Sequence, residues 1–171
     1  TAELTQANAT LRTSEHKFST AFRTSPDSIN INRLSDGLYY EINDGFTALT
    51  GYTTEDVKGK TSLELDIWAN PEDRANLVKG LREHGEVTNL EATFKMKNGQ
   101  LMVGLMSARI IHIEGETCIL SITRDISDLK QAEEAIRRQA EEMTALYETT
   151  HDLVIERDLP KLLHTIVERA A

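Results

Sequence analysis

Apolar positions at the start of the chain recur at helical spacing: Leu4, Leu11 and Phe18 stand seven apart, with Phe22 four further on. This stripe predicts a lead-in helix over residues 1–22. It must stop around Thr24-Ser25-Pro26, because the residue before a proline is driven out of the helical region. The period then falls to two. Asp27 to Asn32 alternates polar and apolar, which sets Ile29 and Ile31 on one face of a half-buried strand. After the turn Ser35-Asp36-Gly37, Leu38, Tyr40 and Ile42 share a face of a second strand. Asn43 or Asp44 caps a short helix carrying Phe46 and Leu49, which Gly51 stops. Thr53 and Asp56 have capping-box spacing for another, closed by Gly59.

Asn70-Pro71-Glu72-Asp73 combines a capping Asn, a proline at the first helical position and acids in the first turn. The helix it opens carries Ala75, Leu77, Val78 and Leu81 inward and ends by Gly85. Two long alternating segments flank Lys97-Asn98-Gly99-Gln100, and Asn-Gly between such segments predicts a β-hairpin. Leu90, Ala92, Phe94 and Met96 share a face before it, and Met102, Gly104, Met106, Ala108 and Ile110 share one after it. A turn at Glu114-Gly115-Glu116 leads to a last strand, Thr117 to Arg124. Two strands, a helical stretch and three antiparallel strands make an α+β domain over residues 23–125.

Beyond Asp125 the helical period returns. Ile126, Glu133, Ala140 and Tyr147 take one core position of a heptad, and Leu129, Ile136, Met143 and Thr150 the other. Opposite charges four apart, such as Glu133–Arg137 and Glu134–Arg138, line the flanks. So narrow an apolar seam over residues 126–150 predicts a two-stranded coiled coil, and hence a homodimer with parallel helices. Residues 151–171 read as a fresh start near Asp158-Leu159-Pro160, the truncated first element of a further domain with a broad apolar face.

Composition sharpens this division. All nine glycines lie between Gly37 and Gly115, so the helical ends are free of them and the turn-rich middle holds them all. Among 171 residues, 28 acids against 19 bases give a net charge of −9, which argues against a nucleic-acid partner. The same charge argues against an electrostatic membrane anchor. No apolar run approaches the roughly 18 residues needed to cross a bilayer. The single cysteine, Cys118, excludes an intrachain disulfide and suits a buried, inert thiol. The expected compartment is the cytoplasm.

A search for catalysis comes back empty. No nucleophile elbow, phosphate loop, dinucleotide fingerprint or zinc-binding His-Glu-x-x-His helix is present, and the five histidines share no metal spacing. His112 and Glu114 stand two apart on a strand, where an exposed pair beside a turn is the simpler reading. His151-Asp152-Leu153 follows the heptads as a histidine-kinase phosphoacceptor would, but Val154-Ile155-Glu156 lacks the Arg and Pro that continue that motif.

Glu41-Ile42-Asn43-Asp44-Gly45-Phe46-Thr47-Ala48-Leu49-Thr50-Gly51-Tyr52, continued by Glu55-Asp56-Val57-Lys58-Gly59-Lys60, resembles the S-box signature of PAS domains. Leu120-Ser121-Ile122-Thr123-Arg124-Asp125-Ile126-Ser127 resembles the Asp-Ile-Thr ending of the accompanying PAC segment, with Ser127 in place of Thr. Ser62 to Trp68 followed by Asn70-Pro71-Glu72-Asp73 is similar to a large bacterial subgroup. The resemblance implies a five-stranded antiparallel sheet with short helices on one face around a small pocket, flanked by N- and C-terminal helices. It also implies a sensory role upstream of an output domain, commonly as a dimer. Ala145-Leu146-Tyr147-Glu148 and the stretch from Asp158 to Ala171 resemble the first helix of a GAF domain.

Departures from the cofactor-bearing members count as much as the match. Flavin-binding members carry Gly-x-Asn-Cys-Arg-Phe where this chain has Gly59-Lys60-Thr61-Ser62-Leu63-Glu64, without a cysteine. Haem-binding members commonly place a histidine in the long helix, and residues 71–83 contain none. Neither haem nor flavin is expected. Ile29, Phe46, Trp68, Leu77, Phe94 and Met106 are the candidate pocket residues, and each would serve ordinary core packing as well. Arg124, Asp125, Ile126, Ser127 and Leu129 are the candidate transmission residues, with Asp125 as a helix cap. Two functions follow: a non-catalytic sensor relaying a small-molecule or conformational signal to an output domain, or a structural dimerisation module without ligand. A histidine kinase leads as the parent, ahead of a diguanylate cyclase, by analogy with the company such domains keep.

Overall fold

Capping residues set most of the boundaries in the computed structural model, which describes the backbone of residues 1–169 and the side chains of 1–150, 163 and 164. Helix α1 (Ala2–Thr24) ends as Ser25 turns extended ahead of Pro26. Its last turn alone is buried, through Phe22, which stacks on Phe18 at 5.9 Å, while Leu4, Leu11 and Phe18 remain exposed. Strands β1 (Ser28–Arg33) and β2 (Tyr39–Ile42) follow, then α2 (Asp44–Thr50), α3 (Thr54–Val57) and α4 (Pro71–His84). Strands β3 (Glu86–Lys95), β4 (Leu101–Ile113) and β5 (Glu116–Asp125) complete the domain, and α5 (Ser127–Arg169) leaves it.

The helical stretch is punctuated as its chemistry requires. Asn43 caps α2 and Gly51 ends it in the left-handed conformation at φ 79°. Thr53 and Asp56 form a reciprocal capping box on α3. Asn70 accepts from the Glu72 amide at the start of α4, which Gly85 closes by donating to Leu81 O at 2.8 Å. At the β4–β5 turn both Glu114 and Gly115 have positive φ, which matches the twist of the two strands.

All pairings are antiparallel, in the order β2-β1-β5-β4-β3. The inner face of β3 and β4, with Ala92, Phe94, Met102, Met106 and Ala108, meets Phe46 of α2 and Leu77 and Leu81 of α4 in one core. Trp68 bridges to Phe94 with ring centroids 4.9 Å apart. The molecule is thus an α+β domain built on a five-stranded antiparallel sheet with flanking helices.

Three details differ from the sequence reading. In β2 the inward residue is Tyr39 while Tyr40 is exposed, because a bulge between Ile31 and Asn32 shifts the register against β1. In α4, Ala75 is exposed, and the row facing the core is Arg74, Leu77, Val78 and Leu81. Helix α5 runs through Pro160 without a new start; a proline removes one helical hydrogen bond, and here it does not end the helix. The chain divides into two units, Thr1–Ser127 and Asp128–Ala171. In the second, Ile136, Met143 and Tyr147 are exposed along α5, and Arg137 and Arg138 both bond Glu134. The side chains of the His151-Asp152-Leu153 motif, and most of those in the GAF-like stretch, lie outside the described residues, as do Ala170 and Ala171 altogether.

Candidate functional site

Strands β1 and β5 pair so that Ser28 faces Thr123 and Asn30 faces Ser121. These four side chains, with Asn32, are buried, and all five line an internal cavity of about 50 Å³. Phe46, Trp68, Leu77, Phe94 and Met106, named from the sequence, also stand around this cavity. Ile29 does not. It pairs with Ile122 on the opposite face of the sheet, while its neighbours Ser28 and Asn30 point inward. The reason is that the central strands bury side chains on both faces: Ile31 and Cys118 are buried on the face away from the cavity. Alternation separates two faces of such a strand without saying which one borders a cavity.

The polar wall is hydrogen-bonded within itself. The Asn30 amide donates to Asn32 Oδ1, and Asn32 Nδ2 donates to Gly37 O at 3.0 Å. Tyr39 closes this corner; burial pushes its phenol well above the ordinary value, against the opposing pull of its hydrogen bond with Asn32.

Arg74 enters the cavity from α4. Its Nη2 is buried and has no hydrogen-bond partner among the described residues. Arg74 takes no part in the ion pairs formed among those residues either. The guanidinium lies beside buried Ser62 and over Gly37, where a Cβ would stand 3.1 Å from Nη2 and 2.6 Å from the Ser62 hydroxyl. A buried donor left unpaired costs about 1–3 kcal/mol, so Arg74 is out of keeping with a core built only for stability. Sequence reading missed it, although Arg74-Leu77-Val78-Leu81 has the spacing of one helical face.

At the domain exit the chain is pinned to β4. Ile126, buried, donates its amide to Val103 O at 2.9 Å, and Val103 donates to Ser127 Oγ at 3.0 Å. Asp125 Oδ1 accepts from the Ser127 amide at 2.8 Å, at the first residue of α5. Arg124 grips Asp27 with two hydrogen bonds of 3.1 and 2.8 Å, which holds the Asp27 carboxyl below its ordinary pKa. Four of the five predicted transmission residues therefore meet at one joint. Leu129 lies further along α5 and is exposed.

Asn43 organises the other end of the domain. Fully buried, it accepts from the amides of Ile29 and Phe46 at 2.8 Å each. Its Nδ2 donates to the carbonyls of Phe22 and Asp27 at 2.9 Å each and of Ser25 at 3.3 Å. A Cβ on Gly45 would stand 2.3 Å from Asp27 O, so only glycine fits there. Among the described residues no cluster of His, Cys, Asp or Glu is arranged to hold a metal ion, and no helix is long and apolar enough to cross a membrane.

This fold, with a partly polar cavity between sheet and helices, defines a sensory-type domain. The family model for the PAS domain matches residues 26–128, and the chain belongs to that family. It is 32% identical over 148 residues to the methyl sulfide methyltransferase-associated sensor of Methanosarcina acetivorans, covering 84% of this chain and 14% of that protein. It is 27% identical over 149 residues to the sensor histidine kinase TmoS of Ectopseudomonas mendocina, covering 82% and 15%. The chain thus spans about a seventh of the length of these curated relatives. Among solved structures, the PAS domain of an HTR-like protein from Haloarcula marismortui superposes with a TM-score of 0.59 at 25% identity, covering 71% of this chain and 99% of that one.

Proposed function

We propose that this PAS domain is a non-catalytic sensory module that relays occupancy of its cavity through β5 into α5, and so to the output domain of a larger cytoplasmic signalling protein. The observation that carries this reading is the placement of Ser121 and Thr123. They line the cavity from the very strand that ends at the Asp125–Ser127 joint. A ligand drawn to those hydroxyls biases β5, and a shift of β5 re-angles the first turn of α5, whose amide Asp125 holds. A sensor histidine kinase is the leading parent, supported by the two sensor proteins among the relatives, one of them a histidine kinase. The GAF-like residues after α5's heptads would then begin the next domain.

The reading invokes neither haem nor flavin, since residues 71–83 carry no histidine and residues 59–64 no cysteine. Replacing Asp125 with Ala in the full-length protein tests the relay. The expected outcome is an altered stimulus response of the output domain with the thermal unfolding of the PAS domain little changed. Wild-type output across the whole stimulus range would overturn it.

The exposed stripes Leu4, Leu11 and Phe18 on α1, and Leu129, Ile136 and Met143 on α5, favour a second reading, a parallel homodimer in which the domain is a structural spacer. Native mass spectrometry of gently purified protein separates the two. A retained small molecule supports sensing, whereas dimers that are always empty favour the spacer.

A further inference from the structure

Among the described residues, the cavity is lined by one charged group, and it is a cation. Every other polar group lining it belongs to a neutral Asn, Ser, Thr, Tyr or Trp, and among the described residues no carboxylate borders it. Arg74 lines the cavity, and its buried Nη2, close over Gly37, bonds nothing among the described residues. A guanidinium in that position matches a carboxylate through charge-assisted hydrogen bonds. It disfavours an ammonium ligand by like-charge repulsion, and a dianion would leave one negative charge uncompensated in a low-dielectric space. The remaining wall, with Phe94, Met106 and Leu77, is apolar and suits a short alkyl group. Size narrows the class further: about 50 Å³ holds on the order of four water-sized groups, the bulk of a two- or three-carbon acid.

We infer that the cavity is a binding site for a short-chain monocarboxylate, its acid group held by Arg74 and its alkyl end packed against Phe94 and Met106. This assignment rests on the sensory reading above and specifies its ligand. Arg74 belongs to α4, whereas Ser121 and Thr123 belong to β5, so a bound acid ties the helix layer to the strand that feeds α5.

The test is a titration of the 171-residue chain with acetate and with propionate, followed by calorimetry and by backbone amide shifts. Acetamide serves as the neutral isostere and inorganic phosphate as the competing anion, all at matched ionic strength. The expected result is saturable binding of the two carboxylates, with amide shifts at Ser121 and Thr123, and none for acetamide or phosphate. Arg74→Gln should weaken carboxylate binding by at least about tenfold, and Arg74→Lys, which keeps the charge, by less. Equal responses to acetate and acetamide in the wild-type protein would overturn the assignment without recourse to any variant. So would unchanged acetate affinity in Arg74→Gln. The two levels of the claim fail separately. If carboxylates do not bind but the purified protein carries another molecule, the ligand class is wrong and the sensory reading stands. If carboxylates bind and the full-length protein's output ignores them, the site stands and the sensory reading falls.

Discussion

Asn43 shows how much one side chain can decide. Its amide satisfies backbone groups of the last turn of α1, the lead into β1 and the first turn of α2, three segments that meet without regular pairing to one another. Removing it leaves the amides of Ile29 and Phe46 buried and unpaired. Asn43→Ala is therefore expected to destabilise the domain by about 3 kcal/mol, read as a lower urea midpoint with an unchanged slope. A loss within 0.5 kcal/mol or so, the range of ordinary surface substitutions, would show that water replaces the side chain. The sequence allowed Asn43 or Asp44 as the cap of α2. Its bonds to Phe22, Ser25 and Asp27 could not be read there, since they depend on where the chain returns in space.

At the scale of elements, ionic contacts hold short helices to the sheet. Asp56, at the third position of α3, accepts from Lys97 Nζ at 2.7 Å, which ties α3 to the β3–β4 hairpin. With the Thr53 groups assisting, Lys97 holds the Asp56 carboxyl down at about 2. Arg33 does the same for Asp36, also to about 2. A carboxyl whose folded pKa lies below its unfolded value of 3.8 contributes stability that is complete above that value and disappears as pH falls through the folded value. The thermal midpoint is accordingly expected to stay level down to roughly pH 5 and to fall between about pH 4 and pH 2. The fall should be shallower in Asp56→Asn and at high salt, because both pairs are solvent-accessible. A midpoint that does not move over that window would contradict the ionic tie.

Over the whole molecule, the proposed homodimer turns on the exposed stripe of α5. Leu129, Ile136 and Met143 repeat every seven residues and are each more than half exposed in the single chain. If two copies pack along this seam, Ile136→Lys is expected to move the chain from dimer to monomer in sedimentation at micromolar concentration, with the unfolding of the PAS domain unaffected. A variant that still sediments as a dimer would place the interface elsewhere.

The sequence by itself determined the order of elements and most of their ends, since caps, prolines and left-handed glycines act through neighbours a few residues away. It also marked the hairpin at Asn98-Gly99, the family resemblance and the helical exit, for the same local reason. Which face of β1 borders the cavity was decided only by the tertiary structure. Ile29 and Asn30 are equally consistent with a strand, and it is the pairing with Ser121 and Thr123 beneath α4 that turns the polar residues inward. The bulge beside Ile31 likewise exchanged Tyr40 for Tyr39. Arg74 stood on the inward row of α4 in plain view, but its meaning came from what surrounds it: a buried nitrogen, no carboxylate beside the cavity among the described residues, and a space small enough to limit what can bind there.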